Sequence, residues 1–383
     1  MGRNIVTGID VGTHTVRVVV AELSPDSGSP HIIGKGIAES RGLRNGYIMN
    51  STEAARSIRA AIRNAERSAG VRIRTVFLAI GGISLEAATI PGATMISRAD
   101  GEVTDLDLEN ALNTCEERAA LANRKVIERV PIAYKLDGKE VYGRPIGMKG
   151  TKLEIRTLFV TCVEQHFNEL IEAVEEANVE VEDVIPAPIA ASLVALTKRQ
   201  RTVGCLLANI GAETVSIAVF EDDLPMSLEV FPIGSTDITN DIALGFRIPL
   251  EEAEQLKMGG SSSVPKRKLD DIIQARLSDI FDLVEAHLKK IGRHGLLPAG
   301  IVLTGGGAGI STIEDFAKGA LELPSRLAEP TFGTKDIPFQ DSSWFVAYGL
   351  CIFGFNQTRP SRGGQPIKGA LRSIASWFKQ LLP

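Results

Sequence analysis

The stretch DVGTHTVRVVV, Asp10 to Val20, returns later in the chain as NIGAETVSIAV, Asn209 to Val219. The offset of 199 residues (209 less 10) holds without a gap through Gly12/Gly211, Thr15/Thr214 and Val16/Val215. The chemistry on offer is anion binding. Gly12 and Gly211 let the backbone turn tightly and aim successive N–H groups at one point. Thr13, Thr15 and Thr214 add hydroxyls beside His14, Ala212 and Glu213. Asp10, at a strand end, could hold the waters of a magnesium ion. One such turn is common in unrelated sheets; two in register point to phosphate.

A third motif, IVLTGGGAGI from Ile301 to Ile310, places Gly305, Gly306 and Gly307 between a strand and a helix. A plain strand-to-helix turn needs fewer glycines, so the sequence predicts a flat ligand lying where a Cβ would collide. Upstream, Glu254 and Lys257 stand three apart on one predicted helix face. They could clasp a nucleoside, Glu254 through ribose hydroxyls and Lys257 through ring or phosphate. The plainer reading is a solvated salt-bridging face.

The elements that must position these residues follow from their pattern. Each repeated stretch predicts strand, tight turn and second strand, and a hairpin duplicated half a chain apart predicts a pseudo-twofold protein with a central cleft. Between the copies, GEVTDLDLENALNTCEERAAL predicts a helix with Thr104 as N-cap and Asp105 and Asp107 in its first turn. At the end of the chain, IKGALRSIASWFKQLLP predicts an amphipathic helix. On a helical wheel its apolar residues fill an arc of roughly 160°. Ile367, Leu371, Ile374, Trp377, Phe378 and Leu381 belong to that arc, edged by Lys368, Arg372 and Lys379.

The charge balance agrees with a surface-seeking tail. The chain has 383 residues, 44% hydrophobic, and a net charge of −5, yet no acid follows Asp341 while five basic residues do. The body is therefore acidic and would repel nucleic acid, whereas the basic end suits an anionic membrane surface. Cys115, Cys162, Cys205 and Cys351 are scattered in apolar runs with no C-x-x-C pair, which predicts buried free thiols. The five histidines form no metal-ligand spacing. No apolar run approaches the about 18 residues that a membrane span needs, and the N-terminus shows no signal-peptide stretch.

The order hairpin, hairpin, strand-GGG-helix resembles the actin/Hsp70/sugar-kinase superfamily of ATP-binding proteins. Three longer stretches resemble the bacterial cell-division family FtsA: DGKEVYGRPIGMKGTKLEIRTLFVTC, GSTDITNDIALGFRIPLEEAEQLK and KKIGRHGLLPAGIVLTGGGAGI. The resemblance spans essentially the whole chain. It implies an α/β, actin-like two-lobed fold with ATP and Mg2+ in the cleft, and it adds Gly234 and Ser235 to the nucleotide-binding set. It implies a first core subdomain at 1–83 and 163–195 with part of 340–355, an inserted subdomain at 84–162, a second core subdomain at 196–233 and 297–339, and a shortened small lobe at 234–296. A linker at 356–366 would lead to the membrane-targeting helix at 367–383. The implied partners are the C-terminal peptide of the tubulin-like FtsZ, copies of the chain itself in a filament, and other division proteins through the inserted subdomain. The implied place is the cytoplasmic face of the membrane at the division site, held there peripherally by the tail.

Two departures stand out. The family's second hairpin usually reads Asp-Ile-Gly-Gly-Gly-Thr, where this chain has Asn209-Ile-Gly-Ala-Glu213-Thr. Asn209 cannot serve as a base, so very slow or no ATP hydrolysis is expected. Glu213 would weaken nucleotide binding unless its side chain points away. Only MGGSSSVPKR separates Lys257 from the next helix, shortening the lobe that would take FtsZ. Lys266, Arg267, Lys268 and Arg276 remain candidate contacts there, or are simply solvated charges. Among competing readings, a pilus-assembly actin-like adaptor that binds a cytoplasmic peptide of a membrane protein would need no anchor of its own. A small-molecule kinase would want an acid where Asn209 stands, and a chaperone would need a peptide-binding domain for which too few residues follow Phe355.

Overall fold

The structure is a computed structural model that describes residues 4–23, 29–119, 121–260, 264–334 and 337–358. The anchoring segment Ile367 to Pro383 lies outside the described residues, as does the expected linker from Arg359 onward.

The first lobe begins with β1 (Ile5–Val11), β2 (Thr15–Glu22) and β3 (His31–Glu39), then a short ribbon, β4 (Leu43–Arg44) and β5 (Tyr47–Ile48). Helix α1 (Ser51–Ala69) and β6 (Thr75–Ile80) follow. Asn50 caps α1 by accepting from the Glu53 N–H, and Gly70 ends it at φ 65°. The helix lies hard against the sheet because β3 offers glycine: a Cβ on Gly36 would overlap the Ala61 carbonyl.

A separate unit interrupts this lobe. It comprises β7 (Glu86–Met95), α2 (Asp105–Arg118), β8 (Arg124–Leu136), β9 (Lys139–Val141) and β10 (Lys152–Val163), with sheet order β7-β10-β8-β9. Thr104 caps α2 as expected, and Asp107 reciprocates, its carboxylate accepting from the Thr104 N–H at 2.8 Å and from the Ser97 N–H at 2.8 Å. The unit has its own small core around Leu108, Tyr134, Leu153 and Phe159.

The chain then re-enters the first lobe through α3 (Glu164–Glu175), β11 (Glu180–Pro186) and α4 (Ala187–Ala195). The second lobe holds α5 (Lys198–Val203), β12 (Cys205–Ile210), β13 (Val215–Glu221) and β14 (Leu224–Phe231). Helices α6 (Ser235–Phe246), α7 (Leu250–Lys257) and α8 (Lys266–Lys290) precede β15 (Ile301–Thr304), α9 (Ile313–Leu321) and β16 (Ser325–Leu327). Helix α10 (Phe345–Thr358) returns to pack on β1 and α4.

The two large sheets have the same topology. Their orders are β3-β2-β1-β6-β11 and β14-β13-β12-β15-β16, each an antiparallel meander of three strands extended by two parallel strands. The duplication expected from the hairpins thus extends to whole sheets. The lobes are joined at two crossings, after α4 and after β16. These are tied together by the Arg326 guanidinium, which donates to the Ala195 carbonyl at 2.9 Å.

One expectation changes. Helix α10 runs on through Asn356 and Gln357, where a linker was expected. Their amides find acceptors, Asn356 Nδ2 on the Ile352 carbonyl and Gln357 Nε2 on Asp183. The four cysteines are all buried and unpaired, as expected. Burial pushes the Cys205 and Cys351 thiols up to about 12, so neither is a reactive thiolate.

Candidate functional site: the inter-lobe cleft

Strands β1 and β2 pair in register through Asp10 and Arg17, and β12 and β13 pair through Asn209 and Ser216, the positions related by the repeat. Both turns are closed by the same bond. The Gly12 N–H donates to the Thr15 carbonyl at 3.2 Å, and the Gly211 N–H donates to that of Thr214 at 2.8 Å. Among the described residues, no backbone acceptor meets the N–H groups of Thr13, His14, Ala212 or Glu213. Each turn therefore leaves two donors for something else.

The two turns meet at a cleft of about 210 Å3. Its walls include Asp10, Gly12, Thr13, His14 and Thr15 from the first hairpin, and Asn209, Gly211, Ala212 and Thr214 from the second. Ser235, Glu254, Gly305, Gly306 and Gly307 close the remaining side. Sequence positions hundreds of residues apart are brought together here because the two hairpins occupy equivalent strand ends in two like sheets.

The electrostatics of the two walls differ. Burial pushes the Asp10 carboxyl up to about 6, while the neighbouring Arg17 guanidinium pulls the other way. Arg17 also lies 5.8 Å over the Trp344 ring, and its buried Nε has no hydrogen-bond partner among the described residues. An unpartnered guanidinium nitrogen beside unpaired backbone N–H groups fits an absent anion. The second hairpin has no such charge pair, since Asn209 and Ser216 replace it.

The remaining expected residues divide. Glu213 turns out of the cleft, its carboxylate accepting from the Asn45 N–H at 2.6 Å in the β4–β5 turn of the opposite lobe. The second nest is thereby left free of a negative side chain. Gly234 also stands off the cleft wall. Its N–H is taken by Asp237 at 2.8 Å, and a Cβ there would overlap the Ala212 carbonyl.

Lys257 borders a second pocket with its ammonium turned inward. It is buried rather than poised over a ligand, and its ammonium donates to Glu254 at 2.7 Å, to Thr239 Oγ1 at 2.9 Å and to the Ser235 carbonyl at 3.1 Å. A buried ammonium has three donors, and here all three are used inside the protein. Glu254 keeps the cleft side, anchored by Lys257 and by the Thr239 hydroxyl at 2.5 Å.

All three glycines of the triplet line the cleft, and two of them are also closely packed behind it. A Cβ on Gly305, at φ 93°, would overlap Asn209 Oδ1, and one on Gly307 would stand 2.6 Å from Ile210. Those two glycines serve packing between strand ends. A Cβ on Gly306 would meet nothing within 4 Å, so this residue alone of the three faces open space.

Of the four basic residues suggested for a peptide, Arg276 pairs with Asp241 at 2.8 Å and Asp279 at 3.2 Å. Lys268 donates to the Gly245 carbonyl at 2.5 Å and lies over Phe246. Internal partners claim both. Lys266 and Arg267 remain exposed, with Lys266 on the rim of the second pocket, of about 330 Å3, which also takes in Lys257 and Ile310.

Sequence reasoning missed Arg17, Gly81, Gly82, Ser216 and Ser343, all of which line the cleft. Gly81–Gly82 follow β6 as Gly305–Gly306 follow β15, so extending the repeat beyond the hairpins finds them. Among the described residues, no group of three or more His, Cys, Asp or Glu could cage a metal, and no helix is long and apolar enough to cross a membrane.

Two like sheets, a cleft between duplicated hairpins and a glycine turn at its rim define an actin-like, two-lobed fold. Residues 206–349 match the family model for cell division protein FtsA, and residues 86–161 match that for the SHS2 domain inserted in FtsA. The chain belongs to the FtsA family of cell-division proteins. It is 30% identical to the cell division protein FtsA of Pseudomonas aeruginosa, covering 92% of this chain and 90% of that one. It is 28% identical to that of Escherichia coli, over 99% and 97%. Among solved structures, a PilM–PilN type IV pilus biogenesis complex superposes with a TM-score of 0.70 at 19% identity, over 94% of this chain and 100% of that one. MreB5 of Spiroplasma citri bound to ADP gives 0.52 at 16%, over 91% and 95%.

Proposed function

We propose that this chain is an ATP-binding scaffold that polymerises on the cytoplasmic membrane at the division site and tethers FtsZ to it. The observation that carries the nucleotide part is the pair of identically closed turns with unpaired N–H groups, facing one cleft beside the unpartnered Arg17 nitrogen. Phosphates between the turns would take those donors. The nucleoside would run past Glu254 toward the second pocket beside Lys257 and Ile310. Magnesium, when bound, would neutralise phosphate charge. Asp10 would reach it through water, since among the described residues no group of carboxylates could cage the ion. Asn209 leaves the second turn without an acid to orient an attacking water, so turnover is very slow or absent.

The membrane part rests on the cationic, amphipathic sequence from Ile367 to Leu382 and on family membership. Filament contacts and other division partners fall to the inserted unit, and FtsZ to the small lobe, where Lys266 and Arg267 are exposed and, of the four candidate basic residues, the two without an internal partner among the described residues. The test is co-flotation with anionic vesicles, ATP and FtsZ, comparing the full chain with one ending at Asn356. The full chain should float and carry FtsZ, while the shortened one leaves both behind. Flotation of both chains alike would overturn the tether.

The likeness to the pilus complex supports a second reading, an adaptor for a cytoplasmic peptide of a membrane protein. Failure of the intact chain to float on vesicles would favour it, since such an adaptor needs no anchor of its own.

A further inference from the structure

Helix α1 carries Arg56, Arg59, Arg63 and Arg67 at steps of three, four and four, an arc of about 80° on its outer face. Arg72 and Arg74 follow in the connection to β6. All are exposed except Arg59, which is half-buried, and none forms an ion pair among the described residues. A groove of about 750 Å3 opens here, lined by Arg59, Arg63, Arg67 and Arg72 together with Asn178. Its one carboxylate, Glu66, is already spent on the Ile73 N–H at 2.9 Å. Arg59 is held in place by donating to the Glu176 carbonyl at 2.6 Å, and Arg67 by donating to Asn64 at 2.9 Å. Four guanidinium groups thus line a groove whose one carboxylate forms no ion pair with them among the described residues, which leaves the groove with a net positive charge. The nearby acids Glu172 and Glu175 of α3, and Glu176 at its end, make no ion pair with them among the described residues.

The position of the groove says what it faces. Helix α1 runs antiparallel to β3, since Ala61 lies over Gly36 and Ala69 over Gly34. Helix α10 runs antiparallel to β1, with Leu350 over Gly8 and Gly354 beside Val6. Strands β1, β3, β6 and β11 are mutually parallel in direction. Both helices therefore end at the same edge of the lobe, remote from the nucleotide cleft, where β6 and β11 begin. From that edge the chain leaves α10 for the cationic amphipathic segment. Eight residues, Arg359 to Pro366, separate the two in sequence.

We infer that the α1 groove is a binding site for the phosphodiester headgroups of anionic phospholipids, placed against the same bilayer that the tail enters. The site rests on the membrane reading proposed above and adds to it a second, lipid-selective contact on the folded body. Arginine suits this role because its planar fork meets phosphate oxygens in pairs. The tail supplies apolar insertion with Lys368, Arg372 and Lys379 at its edge; the groove adds a further preference for acidic lipid.

The experiment is vesicle flotation of the full chain on phosphatidylcholine alone and on phosphatidylcholine with phosphatidylglycerol. A triple variant, Arg63→Gln, Arg67→Gln and Arg72→Gln, changes only exposed side chains, and its thermal melt should match the parent. Each cation near an acidic surface contributes enough that losing three should weaken partition onto the mixed vesicles by about tenfold or more. Partition onto phosphatidylcholine should not change. A triple variant that gains as much from phosphatidylglycerol as the parent would overturn the headgroup site and leave the tether standing. An equal loss on both vesicle types would also overturn it, because the arginines would then be acting on something other than lipid charge. A Trp377→Ser, Phe378→Ser variant that floats like the parent would instead overturn the tether itself.

Discussion

The Glu213 carboxylate lies 2.6 Å from the Asn45 backbone nitrogen, 168 residues away and on the other side of the cleft. Glu213 belongs to the second phosphate turn, Asn45 to the tip of the β4–β5 ribbon. That tip is itself braced, for His166 Nε2 meets the Gly46 carbonyl at 3.0 Å while its Nδ1 meets Ser84 Oγ at 2.5 Å. Burial lowers the His166 pKa, so the ring is neutral and holds these bonds through one donor and one acceptor. Ser84 and His166 flank the entry and exit of the inserted unit. The second turn is thereby linked through Asn45 and the ribbon to the base of that unit.

Glu213→Ala should loosen the contact between the lobes and speed release of a fluorescent ATP analogue by roughly tenfold, the usual worth of a hydrogen bond to a charged group. Glu213→Gln keeps an acceptor and should stay close to the parent. Stopped-flow release rates separate the two. Tighter binding by Glu213→Ala would mean instead that the carboxylate acts mainly by repelling phosphate.

Asn209→Asp restores an acid at the floor of the second turn, opposite Asp10. Phosphate-release assays should show ATP turnover rising by about tenfold or more if a general base or water-orienting group is what the cleft lacks. An unchanged rate would place the defect elsewhere in the cleft.

The glycine triplet predicts a contrast between neighbours. Gly305→Ala forces a side chain into the left-handed region and onto Asn209, and should cost about 2 kcal/mol or more in thermal or urea unfolding. Gly306→Val meets open space, so stability should change by no more than about 0.5 kcal/mol while nucleotide affinity falls. Titration with the same fluorescent analogue checks the second half.

Asp107 gives a pH dependence. Burial alone would raise its carboxyl, but bonds from Thr104 and Ser97 outweigh that and bring it to about 2, below the ordinary 3.8. A carboxylate depressed on folding contributes stability that is present above about pH 4 and is lost as pH falls toward 2. The difference corresponds to about 2 kcal/mol. Asp107→Asn should remove a similar amount at neutral pH and flatten the acid limb of the unfolding profile, followed by circular dichroism.

The hairpins were legible because a repeat announces itself: identical types at a fixed offset force identical turns, down to the same Gly-to-Thr bond. The Thr104 cap was legible because capping acts within four residues. Lys257 was not, because its three acceptors include two on α6, and nothing in a Glu-x-x-Lys spacing says whether the ammonium meets water or protein. The direction of Glu213 was equally hidden, since a partner in the opposite lobe decides it. Two of the three glycines answer to Asn209, Ile210 and Ser235, side chains that the linear motif does not contain. Where the chemistry depended on local geometry the sequence reading held, and where it depended on which surfaces meet it did not.

The bond from Arg326 to the Ala195 carbonyl has a mechanical side. It ties the two places where the chain passes between lobes into one short pivot, so the halves move as jaws rather than as beads on a string. The Glu213–Asn45 contact sits on the gripping edge of those jaws, away from the axle. A slight rotation at the pivot is therefore magnified at the edge, and a ligand that draws the two turns together works with leverage on whatever the inserted unit touches.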